Sequence, residues 1–358
     1  MPRELVVSAP GRICLFGEHQ DYLQLPVITS AIDLRIQIAG VPRVDKIVHF
    51  SLPDIGLEEE FEIQFPIPYS QERDYFKSVV NVLIREGISF PNGFECVVRG
   101  KIPINSGTSS SSALVVAWVK FLLEAVGHPR KDDRLYIAQL AHRAEVLEFH
   151  EPGGMMDHYA TSLGGVLFLD FHSPQPAQKI SVKLEKFVLG DSREPKNTKD
   201  ILARVKNGIL SILKEFPNEI PYENLLEISI EDVAGLQSKL SAEQFNLLRG
   251  FLENQRITFK ALNLLKQPAL DHREFGNLLN QHQAILRDVL KISTPKIDRM
   301  LEASLKAGAL GGKINGSGGG GCMFAYAPEN PEAVAEAISE AGGVPYIVGV
   351  DEGVRVEK

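Results

Sequence analysis

Hydrophobic and polar positions change their period several times along the chain, and each change predicts an element. In the first third, "ELVVSAP", "LRIQIAGV", "KIVHFSL", "FEIQFPI" and "FECVVRG" are short runs rich in β-branched and aromatic residues, bounded by Gly, Pro or Asp, which predicts strands. In "RDYFKSVVNVLIREG" the apolar residues Tyr75, Val79, Val82 and Leu83 share one helical face, and Gly87 ends the pattern. "ALVVAWVKFLLEAV" predicts a buried helix from Ala113 to Val126. It carries Lys120 and is shorter than the ~20 residues that span a bilayer, so it does not read as a membrane anchor. "DDRLYIAQLAHRAEVLEFHEPGG" predicts an amphipathic helix opened by Asp132 or Asp133 and closed by Pro152-Gly153-Gly154.

A short helix from about Met156 and a strand in "GVLFLDF" complete a first domain, expected over residues 1–175. A second, over 176–358, begins with a strand signal in "KISVKLEKFVL" and turns helical from about Asn197 to Gly308. It ends as strand, glycine-rich loop, strand, an alanine-rich helix from Pro331 to Gly342 and the strand "VPYIVGV", a sheet covered on one face by helices. The length of 358 residues fits two such cores.

Composition narrows the function classes. A net charge of −8 with scattered lysines and arginines argues against a nucleic-acid or anionic-membrane binder. Cys14, Cys96 and Cys322 are odd in number and far apart, so they predict neither a disulfide framework nor a metal pair, and point to a reducing cytoplasm. The first residues lack the apolar run of an export signal, since Pro10 and Arg12 interrupt it.

Three stretches carry candidate chemistry. "PINSGTSSSSAL" sets small hydroxylated residues between a strand and a buried helix, where unpaired N–H groups and the helix dipole favour phosphate; a mobile linker would not sit there. "KINGSGGGGCMFAYAP" places five glycines in six positions between two strands, which suits close backbone approach to a ligand; alone it is weak evidence, since glycine runs also make linkers. "APGRICLFGEHQDY" gathers Arg12, Glu18, His19 and Asp21 after a strand. A solvated turn accounts for any one of them, but together they suit the alternating donors and acceptors of a polyol.

In order and spacing these stretches resemble the three signature motifs of the GHMP small-molecule kinases, over nearly the whole chain. The resemblance implies an α+β, two-domain fold: an N-terminal domain like ribosomal protein S5 domain 2 and a ferredoxin-like C-terminal domain. The first motif is most similar to that of galactokinases, which implies ATP-dependent phosphorylation of a sugar, at the anomeric hydroxyl, with Mg²⁺. Glu18, His19, Asp21 and Gly154 would then meet the sugar. Gly107, Thr108, Ser109, Ser110, Ser111, Ser112, Gly316, Gly318 and Gly319 would meet ATP, with Thr108 standing where the family usually has leucine. Asp157 resembles the family's general base, with Arg12 keeping it ionised. Glu145, twelve residues earlier, matches the magnesium-coordinating glutamate. The hydroxyl ligand would be Ser111, with Ser110 second. Without the motifs, Glu145 would read as an ordinary helix carboxylate and Asp157 as a helix cap.

His142, His150 and His158 lack the spacing of a zinc site and read as surface or capping residues. The chain departs from galactokinases in "DYLQLPVITSAI", and "PKNTKDILARVK" looks more like the equivalent part of mevalonate kinase. Mevalonate kinases, however, lack the Asp-Tyr that Asp21 and Tyr22 supply. A mevalonate-type acceptor and a catalytically silent sugar/ATP sensor are the alternatives. The expected partner is a small-molecule sugar, with no nucleic acid and no membrane, on a monomer or homodimer.

Overall fold

The computed structural model describes residues 4–151, 153–195, 198–222 and 225–358. Pro152 and Asn197, invoked above as a helix end and a helix start, lie outside them.

The long β-rich opening builds one mixed sheet. Its strands are β1 (Leu5–Phe16), β2 (Val27–Pro42), β3 (Ile47–Leu52), β4 (Leu57–Glu62), β5 (Phe94–Gly100), β6 (Val166–Leu169) and β7 (Ala177–Ile180). The order is β1-β2-β5-β3-β4, and β6 pairs with the start of β2 and carries β7 on its other edge. Helices α1 (Tyr75–Arg85), α2 (Ser110–Ala125), α3 (Arg134–His142) and α4 (Met156–Leu163) pack against it and one another. Because α2 is apolar on almost every side, it is buried on almost every side, with Trp118 set among Phe50, Phe76, Phe94 and Phe121. Its one buried cation, Lys120, is satisfied by Glu124 at 2.6 Å, the Lys131 carbonyl at 2.7 Å and Asp132 at 2.9 Å. Asp133, not Asp132, caps α3 by accepting from the Tyr136 N–H at 3.0 Å.

The apolar run expected as one strand in 179–189 is two. β7 adds to the first sheet, and after a break β8 (Phe187–Asp191) starts the second, so the change of sheet falls between Ile180 and Phe187 instead of at 175/176. The helical region holds α5 (Thr198–Glu215), α6 (Ala242–Leu265), α7 (His272–Ala284) and α8 (Pro295–Lys306). Then come β9 (Gly311–Ile314), β10 (Cys322–Tyr326), α9 (Pro331–Glu340) and β11 (Val344–Val348). The second sheet is antiparallel in the order β11-β8-β10-β9, which is the ferredoxin-like order. Its core centres on Met300, Phe324, Tyr326 and Ile338. The final β12 (Arg355–Val356) returns to pair with β1 in the first sheet.

Two loops position the site by meeting each other. The serine loop before α2 and the glycine loop between β9 and β10 are joined by Cys322 N–H to the Ser106 carbonyl at 2.7 Å and by Asn315 Nδ2 to the Gly107 carbonyl at 2.8 Å. A side chain at Gly316 would strike the Gly107 carbonyl oxygen, 2.9 Å from where its Cβ would sit, so the approach itself requires glycine. Beneath them Lys313 of β9, fully buried, donates to Glu18 Oε2 and to the carbonyls of Cys14 and Ile314, each at 2.8 Å. All three donor positions of the ammonium are filled, which is what lets a charge reside there.

Removing that ammonium strands a buried carboxylate. Lys313→Met is expected to destabilise the protein by about 3–5 kcal/mol in urea unfolding, and Lys313→Met/Glu18→Gln to recover part of the loss.

Candidate active site

A cavity of about 660 Å³ lies where the two loops face the turn that follows α3 and the start of α4. Arg12, Glu18, His19, Asp21, Gly107, Ser109, Ser110, Ser111, Ser112, Glu145, Gly154, Asp157 and Gly316 all border it, although they come from five separate parts of the chain. Thr108, Gly318 and Gly319 do not. The Thr108 hydroxyl turns inward to Ser106 Oγ at 2.7 Å, which braces the base of the serine loop. Gly318 and Gly319 pack on Ile292: a Cβ at Gly318 would sit 2.5 Å from that of Ile292, and the Gly319 N–H donates to the Ile292 carbonyl at 2.7 Å.

The serines are more than a linker. Helix α2 begins at Ser110, three residues earlier than the apolar pattern predicts, so Ser110, Ser111 and Ser112 form its first turn and offer backbone N–H groups as well as hydroxyls. Ser109 caps it in a left-handed conformation with φ of 62°; its buried Oγ makes no hydrogen bond of ordinary geometry among the described residues but lies close enough to Asp157 to help hold that carboxylate below its ordinary range. The backbone N–H groups of that first turn are a fit for an anionic oxygen.

Asp157 stands in the first turn of α4. Arg12 grips it through Nε at 2.7 Å and through a second guanidinium nitrogen at 2.7 Å, while Nη1 donates to the Gly107 carbonyl. The backbone of Arg12 is fixed too, its N–H donating to the Thr108 carbonyl at 3.1 Å across Gly11. Burial is the largest single influence on the Asp157 carboxyl and pushes it upward, but the charge of Arg12, the neighbouring His158 and the hydrogen bonds of Arg12 and Ser109 together hold the group below its ordinary range. Asp157 is therefore an ionised acceptor at neutral pH.

The loop after β1 carries the other carboxylates. One Glu18 oxygen belongs to Lys313, a partner the sequence reading missed. His19, at φ of 65°, spans the cleft: Nε2 is 3.0 Å from the Ser317 carbonyl and Nδ1 is 3.3 Å from the Tyr22 hydroxyl. Burial lowers its basicity. The neutral ring then carries its proton on Nε2, donating to the carbonyl, and accepts from Tyr22 at Nδ1. Asp21 has no ion-pair partner among the described residues. Burial, then the negative charges of Asp157 and Glu18, push it up to about 6. It sits in a notch made by Gly154, where a Cβ would lie 1.9 Å from Asp21 Oδ2.

Glu145 is on a wide, π-type turn over Arg143–Leu147 that continues α3 and swings its carboxylate into the cavity. His158 Nε2 meets Glu145 Oε2 at 2.7 Å, and the hydroxyls of Ser111 and Ser112 lie close enough to help hold the carboxylate below its ordinary range against burial. His158 is therefore no surface or capping histidine, as the sequence reading had it, but is buried beside the site. Its position directly after Asp157 was the available signal. Among the described residues no group of three or more His, Cys, Asp or Glu could hold a metal. Glu145 and Ser111 nonetheless form an oxygen pair, the donor type that suits Mg²⁺ when phosphate and water complete the shell.

Comparison with known proteins assigns the chain to a family. Residues 74–165 match the GHMP kinases N terminal domain, residues 261–344 the GHMP kinases C terminal domain, and residues 2–42 the galactokinase galactose-binding signature. The chain is 30% identical to mevalonate kinase of Thermococcus onnurineus, over 99% of this chain and 98% of that one. It is 28% identical to galactokinase of Homo sapiens, over 99% and 92%. The crystal structure of Lactococcus lactis galactokinase complexed with galactose superposes with a TM-score of 0.84 at 24% identity, over 99% and 95% of the two chains. The chain belongs to the GHMP kinase family. No described helix is long and apolar enough to cross a membrane.

Two outcomes follow for the Asp21 notch. Gly154→Ala is expected to lower kcat/KM for the acceptor by about 10–100-fold through displacement of Asp21, while ADP affinity measured by calorimetry stays near wild type. As pH falls through 6, Asp21 takes up a proton and loses its charged acceptor, so KM for the acceptor should rise below pH 6 in the wild type and lose that inflection in Asp21→Asn.

Proposed function

We propose that the protein transfers the terminal phosphoryl group of ATP to a small sugar, at the anomeric hydroxyl. The observation that carries the sugar reading is Asp21, a carboxylate facing the cavity with no ion-pair partner among the described residues. Hydroxyl groups donate to such a carboxylate. A carboxylate-bearing acceptor such as mevalonate would instead set a second anion beside it. The cations among the described residues lining the cavity are already engaged, Arg12 with Asp157 and Arg73 with Glu151 at 2.9 Å. The galactose-binding signature over residues 2–42 supports the same reading.

The serine loop and first turn of α2 would hold the nucleotide phosphates, through the backbone N–H groups and hydroxyls of Ser110, Ser111 and Ser112. Glu145 and Ser111 would hold Mg²⁺, which supplies charge neutralisation across the phosphate oxygens when bound. Asp157 accepts the hydrogen bond of the acceptor hydroxyl and takes its proton as the new O–P bond forms and the bond to ADP breaks. Its low basicity places the emphasis on orientation: the carboxylate is always ready to accept, and Arg12 keeps it aimed. The three cysteines are free and buried, in keeping with the reducing cytoplasm we propose for it.

The 30% identity to an archaeal mevalonate kinase over the full chain supports the second reading, phosphorylation of mevalonate. ADP release from MgATP, measured across free sugars (galactose, galactosamine derivatives, arabinose, mannose, fucose, galacturonate) and mevalonate, separates them. Turnover is expected on one neutral sugar and should drop about 10²–10⁴-fold in Asp157→Asn. Turnover on mevalonate alone would overturn the weight given to Asp21. ATP binding with no turnover on any acceptor would favour a sensor.

A further inference from the structure

We propose that His158 is a positioning residue for the cation site: its Nε2–H holds Glu145 Oε2, so that the other carboxylate oxygen is presented to Mg²⁺ beside Ser111. This rests on the phosphoryl-transfer reading above.

Three observations carry it. First, the contact is short and enclosed, 2.7 Å between two side chains that are 2% and 10% exposed. A carboxylate taken out of water needs its oxygens satisfied, and His158 does so for Oε2, with the Ser111 and Ser112 hydroxyls also close to the Glu145 carboxylate. Second, the far side of the ring is closed. His158 Nδ1 is buried without a partner among the described residues, and the His142 and His158 rings meet edge to face, centroids 5.3 Å apart at 78°. An unpartnered lone pair is tolerated there better than an unpartnered N–H, so the proton belongs on Nε2, facing Glu145. Third, His158 follows Asp157 in the first turn of α4. One helical turn therefore aims the carboxylate on the acceptor side and, through the imidazole, braces the carboxylate on the phosphate side. The wide turn brings the Glu145 carboxylate to the cavity, and the His158 imidazole fixes which of its oxygens turns inward.

The test compares wild type, His158→Gln and His158→Leu for binding of ADP with and without Mg²⁺ by calorimetry. Groups that orient a metal ligand are worth about 10–100-fold in metal affinity. His158→Leu should lose at least about tenfold of the strengthening that Mg²⁺ gives to ADP binding, with metal-free ADP affinity unchanged. His158→Gln, whose amide can donate in place of Nε2–H, should keep most of it. Retained strengthening in the leucine variant overturns the proposal, as does equal weakening of both forms of ADP, which would mark a merely structural role. Nitrogen-15 NMR of the unliganded wild type, with the His158 signal assigned by its loss in His158→Gln, should show the Nε2–H tautomer. An Nδ1–H tautomer overturns the proposal even if His158→Leu fails to fold. If wild type shows no Mg²⁺-strengthened ADP binding at all, the phosphoryl-transfer reading falls and this proposal with it.

Discussion

The buried ion pair between Lys313 and Glu18 is the constraint on which the site depends. It joins the last residues of β9, in the second sheet, to the loop that follows β1, in the first. A bare lysine at 0% exposure is expensive, and the fold meets the expense by surrounding it with one carboxylate and two carbonyls. Those partners come from both sides of the cleft, so the charge is satisfied only when the cleft is assembled. The glycine loop starts two residues beyond Lys313, and the cavity-lining residues His19 and Asp21 start one residue beyond Glu18. Docking the ammonium therefore sets the register of both.

The same logic repeats around the cavity at smaller scale. The Gly107 carbonyl receives both Arg12 and Asn315, so one backbone oxygen ties the guanidinium that grips Asp157 to the loop arriving from the second sheet. Asn254 of α6 donates to the Glu18 carbonyl at 2.9 Å, and Gln20 donates to the Phe251 carbonyl at 3.1 Å. Leu23 and Leu25 bury into the cluster formed by α5 and α6. The acceptor-side loop is thus held from beneath by helices that a sequence reading would assign to another domain.

What the sequence made legible was the set of motifs and the elements that carry them: strands, the buried helix, the order of the two domains and most of the residues that reach the cavity. Its errors share a physical origin. Serines 110–112 read as loop because their intrinsic helix propensity is low, yet at a helix start their side chains and N–H groups are favoured. Lys313 went unremarked because a lysine in a short strand ordinarily faces water, and nothing local announces that its counter-charge lies 295 residues away. His158 was judged by metal-site spacing along the chain, whereas its partner, Glu145, is reached only through the turn between α3 and α4. The glycine run was assigned wholly to a ligand, although Gly318 and Gly319 are needed where the loop leans on Ile292.

The return of the chain to the first sheet has a mechanical meaning. The polypeptide passes from the first sheet to the second between Ile180 and Phe187, and comes back after Val348 to bridge Ile32 with Val350 and to pair β12 with β1. Both passages run beside Asp33, whose N–H donates to the Gly349 carbonyl at 3.1 Å and whose carboxylate accepts from the Gly349 N–H at 3.0 Å and faces Lys186 at 3.9 Å. Two covalent crossings side by side make a double seam: a cut between Ile180 and Phe187 would still leave the second sheet stitched to the first through β12 and the Ile32–Val350 bridge.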